Sequence, residues 1–374
     1  MCIRFAQGRS GGGYGVLMRL PRVSLGQFRR NAIAVAYRTE TGVRDRLARR
    51  AVARGWTPAV IPYSGYASAR QARVLGRVIL APSSVDPAAR RGISGWRRLF
   101  TLESPGTEVE IELHGTRTTV TTDEAGIIDA QLPLNTPLPP GTTNALVQMK
   151  GRGQVAAKVH VASADPGRGV VCDIDDTVWI TGISHPARAA WRTLHGSSAT
   201  RQSVPGMARL LRTAVEDQDH PVVVYLSNGP WNFVGPVTRF LERNDFPAGA
   251  VLMTDWGITP NRWFRDGKQH KFSSLTRLVE DLPHITWVLV GDDGEHDPTI
   301  YADVAEAHSD RIAAIALRQV GPTPSTRATE ITASAGTGRD ADSINEVPVL
   351  RGADGDELLP LLQNALRESP PTTP

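Results

Sequence analysis

The sequence predicts an α/β protein in two parts: a small β-sandwich domain, then a parallel sheet with helices on both faces. Three observations carry this. Through the second half of the 374 residues, short, mostly β-branched apolar runs alternate with helical stretches, the pattern of a parallel sheet covered on both sides. In the first half, Val109-Glu110-Ile111-Glu112-Leu113 alternates apolar and charged residues, as a half-buried strand does, and turn signals at Gly115 and at 123–126 bound its neighbours. The texture changes across Ser163-Ala164-Asp165-Pro166-Gly167, which reads as a linker.

In order along the chain, residues 1–20 are rich in Gly, Ser and Arg without periodicity and read as a disordered tail, with Met18 a candidate for the true start. Residues 21–163 form a basic helical segment followed by the sandwich-like domain. One or two helices are expected over 25–54, interrupted near Gly42. Strands are expected at 60–61, 74–80, 109–113, 118–121, 127–132, 145–149 and 157–161. Residues 168–370 form the second domain. Its strands are expected at 170–172, 222–226, 251–252, 286–290 and 312–317, its helices at 207–215, 234–243 and 272–281, then a flexible loop over 321–345, a strand at 347–350 and a helix opening near Asp354.

Composition narrows the function classes. No apolar run approaches the ~18 residues of a membrane span, and the N-terminus lacks a secretory pattern. Two cysteines, Cys2 and Cys172, build neither a disulfide framework nor a zinc site. The expectation is a cytoplasmic protein. The net charge of +4 favours anionic partners, but no zinc finger, RNA-recognition signature or helix-turn-helix pattern supports nucleic acid. The cluster Arg44, Arg46, Arg49, Arg50 and Arg54 reads as a solvated helix face or as a dock for an anionic membrane surface.

Four features fall at or just after the carboxyl ends of expected strands, the edge where open α/β sheets bind ligands. After 170–172 comes Asp173-Ile174-Asp175-Asp176-Thr177. Carboxylates at i and i+2 on a strand end point the same way, so one can attack phosphorus while the other handles a proton. Ser227 ends Val222-Val223-Val224-Tyr225-Leu226 and can donate to a phosphoryl oxygen. Lys268-Gln269-His270-Lys271 precedes the helix expected from Phe272. Only four of the 42 basic residues are lysine, so two in this window stand out. Lys271, at the helix opening and nearer the sheet edge, is the preferred phosphate-neutralising cation and Lys268 the alternative. Finally, Gly291-Asp292-Asp293-Gly294-Glu295-His296-Asp297 supplies the hard oxygen ligands that magnesium takes. Asp292 is the first metal ligand; Asp293 and Asp297 compete for the second role. Thr177, Asn228 and Lys268 are the expected substrate contacts.

At these residues the chain resembles the haloacid-dehalogenase-like phosphatases, and more closely the actin-patch phosphatidate phosphatase family with its bacterial relatives. The resemblance rests on Asp173-Ile-Asp-Asp-Thr-Val-Trp-Ile-Thr-Gly182, Tyr225-Leu-Ser-Asn-Gly-Pro-Trp-Asn232, His270-Lys271 and Gly291-Asp-Asp-Gly-Glu-His-Asp-Pro298. It extends upstream through Arg54-Gly55-Trp56 and Gly65-Tyr66, covering about 35–320. It implies a Rossmann-like sheet of the haloacid-dehalogenase type and a Mg2+-dependent phosphomonoester hydrolase. Asp173 would form a phosphoaspartyl intermediate, and Asp175 would protonate the leaving oxygen and then activate water. Ser227 and Lys271 would hold the phosphoryl group. Magnesium would be bound by Asp173, the backbone carbonyl of Asp175, and Asp292 with Asp293 or Asp297. Phosphatidate at a membrane surface is the implied substrate, with peripheral contact to the inner face of the membrane. A soluble or nucleic-acid-end phosphomonoester, or a catalytically silent lipid- or protein-binding module, are the alternatives. The roughly forty residues between Thr177 and Pro221 leave room for a small helical insert, not a large cap. Trp179, Trp231, Trp256 and Trp263 fall near the motif loops, where packing is the ordinary role and lipid contact the functional one.

Overall fold

The computed structural model describes residues 42, 44–83, 101–180, 201–254, 260–294, 296–320 and 343–368, the side chains of 260–267 excepted. The tail 1–20, the helical stretch before residue 42, Trp256, the side chain of Trp263, residues 181–200 of the expected insert and 321–342 of the expected loop lie outside the described residues. Residues 44–53 form a helix, α1.

Eight strands follow: β1 (Trp56–Ala67), β2 (Gln71–Pro82), β3 (Leu102–Glu103), β4 (Glu108–Leu113), β5 (Thr116–Thr121), β6 (Ile127–Pro133), β7 (Gly141–Gln148) and β8 (Val155–Val161). Alternation decides which way each faces. In β4, Val109, Ile111 and Leu113 are buried while Glu108 and Glu110 are exposed. β4 turns into β5 through His114 and Gly115, both at positive φ (49° and 79°), which gives a two-residue hairpin whose twist matches its strands. The hydrogen bonding draws not the two sheets of the expected sandwich but one mixed sheet, ordered β3-β2-β1-β8-β7-β4-β5 with β6 on β2. β1 and β8 run parallel and the other pairs antiparallel. β2 is long enough to hold β1 along its length and both β6 and β3 in turn on its other edge. The sheet curls around its own apolar core, including Val74, Val78, Ile111, Leu132 and Val159.

The second sheet runs β11-β10-β9-β12-β13-β15-β14, built from β9 (Gly167–Asp173), β10 (Val222–Pro230), β11 (Ala250–Thr254), β12 (Ile285–Asp292), β13 (Ile312–Arg318), β14 (Ser343–Ile344) and β15 (Val347–Gly352). All neighbours are parallel except the edge pair β14–β15. Val170 to Asp173 and Val222 to Ser227 are buried without a break, because both faces of these strands are covered. The helices are α2 (Met207–Thr213), α3 (Val234–Arg243), α4 (Pro260–Asp281), α5 (Asp297–Ala307) and α6 (Gly355–Glu368). α4 begins at Pro260, well before the expected opening at Phe272, so Lys268 and Lys271 lie inside a helix and not at its start. Proline suits a first helical position, and the interior Gly267 costs only about 1 kcal/mol, which tertiary packing overrides.

The chain passes from β9 to β10 and β11 on one side, then returns to β12 on the other side of β9. This reversal opens a crevice beyond the carboxyl ends of β9, β10 and β12. The curled sheet grips two pieces that border it. Tyr66 donates its hydroxyl to Asp281 on α4 at 2.7 Å, and Arg277 on α4 donates to Asp129 at 3.1 Å. Asp129 also takes a two-pronged bond from buried Arg73, at 2.8 Å on each prong. Burial works to raise the Asp129 pKa, but the Arg73 and Arg277 guanidinium groups hold it below the usual carboxylate value. On the loop after β10, Trp231 stacks on Tyr63 at 5.0 Å, and Asn232 accepts a bond from buried Arg77.

Candidate active site

Asp173 is the last residue of β9 and is buried. Lys271 reaches it from α4: Nζ donates to Asp173 Oδ1 at 2.6 Å and to Asp297 Oδ1 at 2.5 Å. The lysine is 2% exposed and the carboxylates 3% and 0%, so these are charge-assisted bonds away from water. Burial, with Asp297 and Asp292 near, pushes the Asp173 pKa well above the ordinary carboxylate value, and the Lys271 ammonium opposes that rise.

Asp173, Asp292 and Asp297 bring carboxylate oxygens within 4.8 Å of one another, all three buried. Asp292 ends β12, and Asp297 opens α5. Asp297 Oδ2 is buried with no hydrogen-bond partner. A buried carboxylate oxygen left unsatisfied is what a hard divalent cation would complete. The structure brings Asp297, and not Asp293, into the cluster with Asp173 and Asp292. Asp293 instead accepts the backbone N–H of Val320 at 2.9 Å and shapes the loop. Gly291 lets Asp297 approach: a Cβ at position 291 would lie 2.6 Å from Asp297 Oδ2 and 2.8 Å from the Tyr301 ring.

Asp175 sits past the strand, with both carboxylate oxygens occupied. Ser227 Oγ donates to Oδ2 at 3.1 Å and the Trp179 indole Nε1 to Oδ1 at 3.1 Å. The Ser227 oxygen in turn accepts the Gly229 N–H at 2.9 Å. Burial raises the Asp175 pKa, while those two bonds and the Arg201 and Lys271 charges pull the other way. Asp176 turns the chain at φ 55°, and Arg318 holds its carbonyl at 2.5 Å. The carboxylate of Asp175 is not among the clustered metal-type oxygens.

Thr177 and Asn228 each bury an oxygen without a partner. Lys268 is not brought into the cluster. It is 43% exposed and its ion pair is with Asp303, at 3.7 Å. Sequence reasoning weighed Trp179 only as packing or lipid contact. Its position four residues after Asp175, inside the same turn, was the available signal for a hydrogen-bonding role. Arg201, which stacks on Trp179 with 4.4 Å from its guanidinium carbon to the ring centroid, lies in no motif and carried no signal.

Residues 168–319 match the family model described as phosphatidate phosphatase APP1, catalytic domain. This segment is APP1-like. Over 155 residues the chain is 27% identical to phosphatidate phosphatase APP1 of Saccharomyces cerevisiae, covering 41% of this chain and 26% of that protein. It is likewise 27% identical over 155 residues to an uncharacterized protein of Schizosaccharomyces pombe, covering 41% and 25%. The chain thus matches only about a quarter of the length of these curated relatives. Among solved structures it is similar to the HAD domain of effector protein Lem4 from Legionella pneumophila, with 13% identity, a TM-score of 0.28 and coverage of 45% of this chain and 95% of that one. A carbohydrate acetylesterase from Xanthomonas citri gives 11%, 0.27, 83% and 75%. At these scores neither structure constrains fold or chemistry. The APP1-like segment contains β9 to β13 and the four motif loops; β14, β15, α6 and the curled sheet fall outside it.

Proposed function

We propose that this protein is a magnesium-dependent phosphomonoester hydrolase that works through an aspartyl-phosphate on Asp173, with phosphatidate as substrate. The observation that carries the reading is the buried Lys271 bonded to Asp173 and Asp297 at once, beside Asp292. An ammonium fixed there neutralises charge where a phosphoryl group would arrive and needs no reorganisation to do so.

In the first step an Asp173 oxygen attacks phosphorus. The ester P–O bond breaks, and Asp175 gives a proton to the departing oxygen; burial acts to favour its protonated form. In the second step Asp175 takes a proton from water, whose oxygen attacks the same phosphorus and releases inorganic phosphate from Asp173. Ser227 turns its hydroxyl between Asp175 and a phosphoryl oxygen, and Trp179 holds the Asp175 carboxyl in place. The Thr177 hydroxyl can donate to a phosphoryl oxygen, and Asn228 Oδ1, an acceptor, can take a hydrogen from bound water. Asp173, Asp292 and Asp297, with the backbone carbonyl of Asp175, would hold Mg2+, which supplies charge neutralisation when bound. The cytoplasmic side of a membrane is the setting in which such an enzyme would meet phosphatidate. Among the described residues no helix is long and apolar enough to cross one.

The test is phosphate release with and without Mg2+, from phosphatidate in mixed micelles and from a soluble aryl phosphate, for wild type and Asp173→Asn. Release from phosphatidate that needs both magnesium and Asp173 is expected. Release from the aryl ester alone would remove phosphatidate, and activity surviving in D173N would remove the aspartyl-phosphate.

A further inference from the structure

Lys271 shares its ammonium between two carboxylates. A phosphomonoester brings about two further negative charges to a site already dense in carboxylate, so a second cation with a spare donor is called for. Arg201 has that property. Its guanidinium lies over the Trp179 ring, 4.4 Å from carbon to centroid, and its charge acts on Asp175 and Asp176. Its Nη1 is buried and donates to nothing. A stranded guanidinium N–H is a costly feature in a folded protein. Trp179 covers the guanidinium on one side, and Phe240 meets that indole in an edge contact at 5.1 Å. The Trp179 N–H is meanwhile spent on Asp175. The guanidinium is thus pre-oriented beside the carboxyl that faces the breaking ester bond.

We infer that Arg201 is a phosphate-binding residue, donating from Nη1 to a non-bridging oxygen of the phosphoryl group on the side away from Lys271. The inference rests on the phosphatase reading of the site and adds to it a contact outside the four motifs. It makes the site a two-cation clamp, with the ammonium deep against the nucleophile and the guanidinium next to the acid–base carboxyl. A guanidinium N–H to a phosphate oxygen is a charge-assisted bond, stronger than a neutral one.

The experiment is equilibrium binding of inorganic phosphate, the product, to the full chain in magnesium buffer by calorimetry. Wild type, Arg201→Met and Arg201→Gln are compared, each with a melting curve. Wild type is expected to bind phosphate, and R201M to bind about ten- to a hundredfold more weakly at an ordinary melting temperature. The kcat/KM for any accepted phosphomonoester should fall by a similar factor. If R201M fails to fold, R201Q, which keeps an amide donor without the charge, decides in the same way. Unchanged phosphate affinity in a folded variant overturns the inference and leaves the phosphatase reading standing, because Arg201 would then only brace Trp179. A wild type that neither binds phosphate nor releases it from an ester overturns both.

Discussion

Replacing Gly291 by alanine tests how closely the proposed metal site is fitted. The added methyl carbon would lie 2.6 Å from Asp297 Oδ2, 3.0 Å from Asp297 Cβ and 2.8 Å from the Tyr301 ring. Restoring ordinary contact requires the Asp297 carboxylate to retreat by about 0.8 Å. That carboxylate also holds Lys271 at 2.5 Å, so the displacement reaches the cation beside Asp173. Magnesium demands near-ideal octahedral placement of its oxygens, and an error of about 1 Å at a reacting centre is worth about a hundredfold in rate. Gly291→Ala should therefore raise the magnesium concentration for half-maximal phosphate release at least about tenfold and lower kcat about tenfold to a hundredfold. Overpacking costs about 1–3 kcal/mol of stability, so melting is followed in parallel. Gly153→Ala, where an added carbon meets nothing within 4 Å, is the matched control. A G291A enzyme with an unchanged magnesium curve and kcat would refute the placement of Asp297 in the metal site.

Other perturbations have equally definite outcomes. Trp179→Phe keeps most of the ring but deletes the N–H on Asp175, so kcat should drop about tenfold or more while KM moves little; steady-state kinetics at saturating magnesium decide. Asp129→Asn strips the buried Arg73 of its carboxylate and should lower stability by about 1–3 kcal/mol in urea melts, whereas Glu112→Gln, which leaves the exposed Arg117 without its near partner, should change it by under about 0.5 kcal/mol. His160 is neutral in the fold, its pKa lowered to about 4 from 6.5 by burial and by Lys158, against a bond to the Gly249 backbone. Below pH 6.5 the unfolded chain takes a proton that the native state refuses, so stability falls as pH drops from 6.5 toward about 4. The loss is on the order of 2 kcal/mol by pH 5, and His160→Gln should flatten that slope in melts across the window.

The strands of the second sheet were legible because fully buried parallel strands are unbroken apolar runs, and Val170 to Cys172 or Val222 to Leu226 can be little else. The order of motifs along the chain then placed Asp173, Ser227 and Asp292 at one sheet edge. The competition between Asp293 and Asp297 was not legible, because acidic residues four apart across a turn differ only in where the backbone points them. Here Asp297 opens a helix facing the cluster while Asp293 turns to Val320. α4 starts at Pro260, ahead of the expected opening, and runs through Gly267, whose weak helix propensity tertiary packing overrides. Of the two reasons for preferring Lys271, the helix opening does not match α4, while its nearness to the sheet edge agrees with its bonds to Asp173 and Asp297. The single hydrogen-bonded sheet of the first half was hidden too, since alternation tells inside from outside but not whether strands share one sheet or two. Arg201 left no trace, because a stacked arginine outside a motif has no periodicity to reveal it.

The segment that matches the family model and the packed unit around Lys271 have different bounds in this protein. The stretch shared with its relatives begins at β9 and stops at residue 319, yet the helix that delivers Lys271 is bolted by Arg277 and Asp281 to Asp129, Tyr66 and Gln131 on a sheet that stretch omits. An excised copy of residues 168–319 would carry Asp173, Asp175, Lys271 and Asp292 while lacking the brace that holds the helix of Lys271. Grafting that half onto another N-terminal scaffold would mean rebuilding the brace, and substitutions at Tyr66, Arg73 or Asp129 have to be judged together with those on α4.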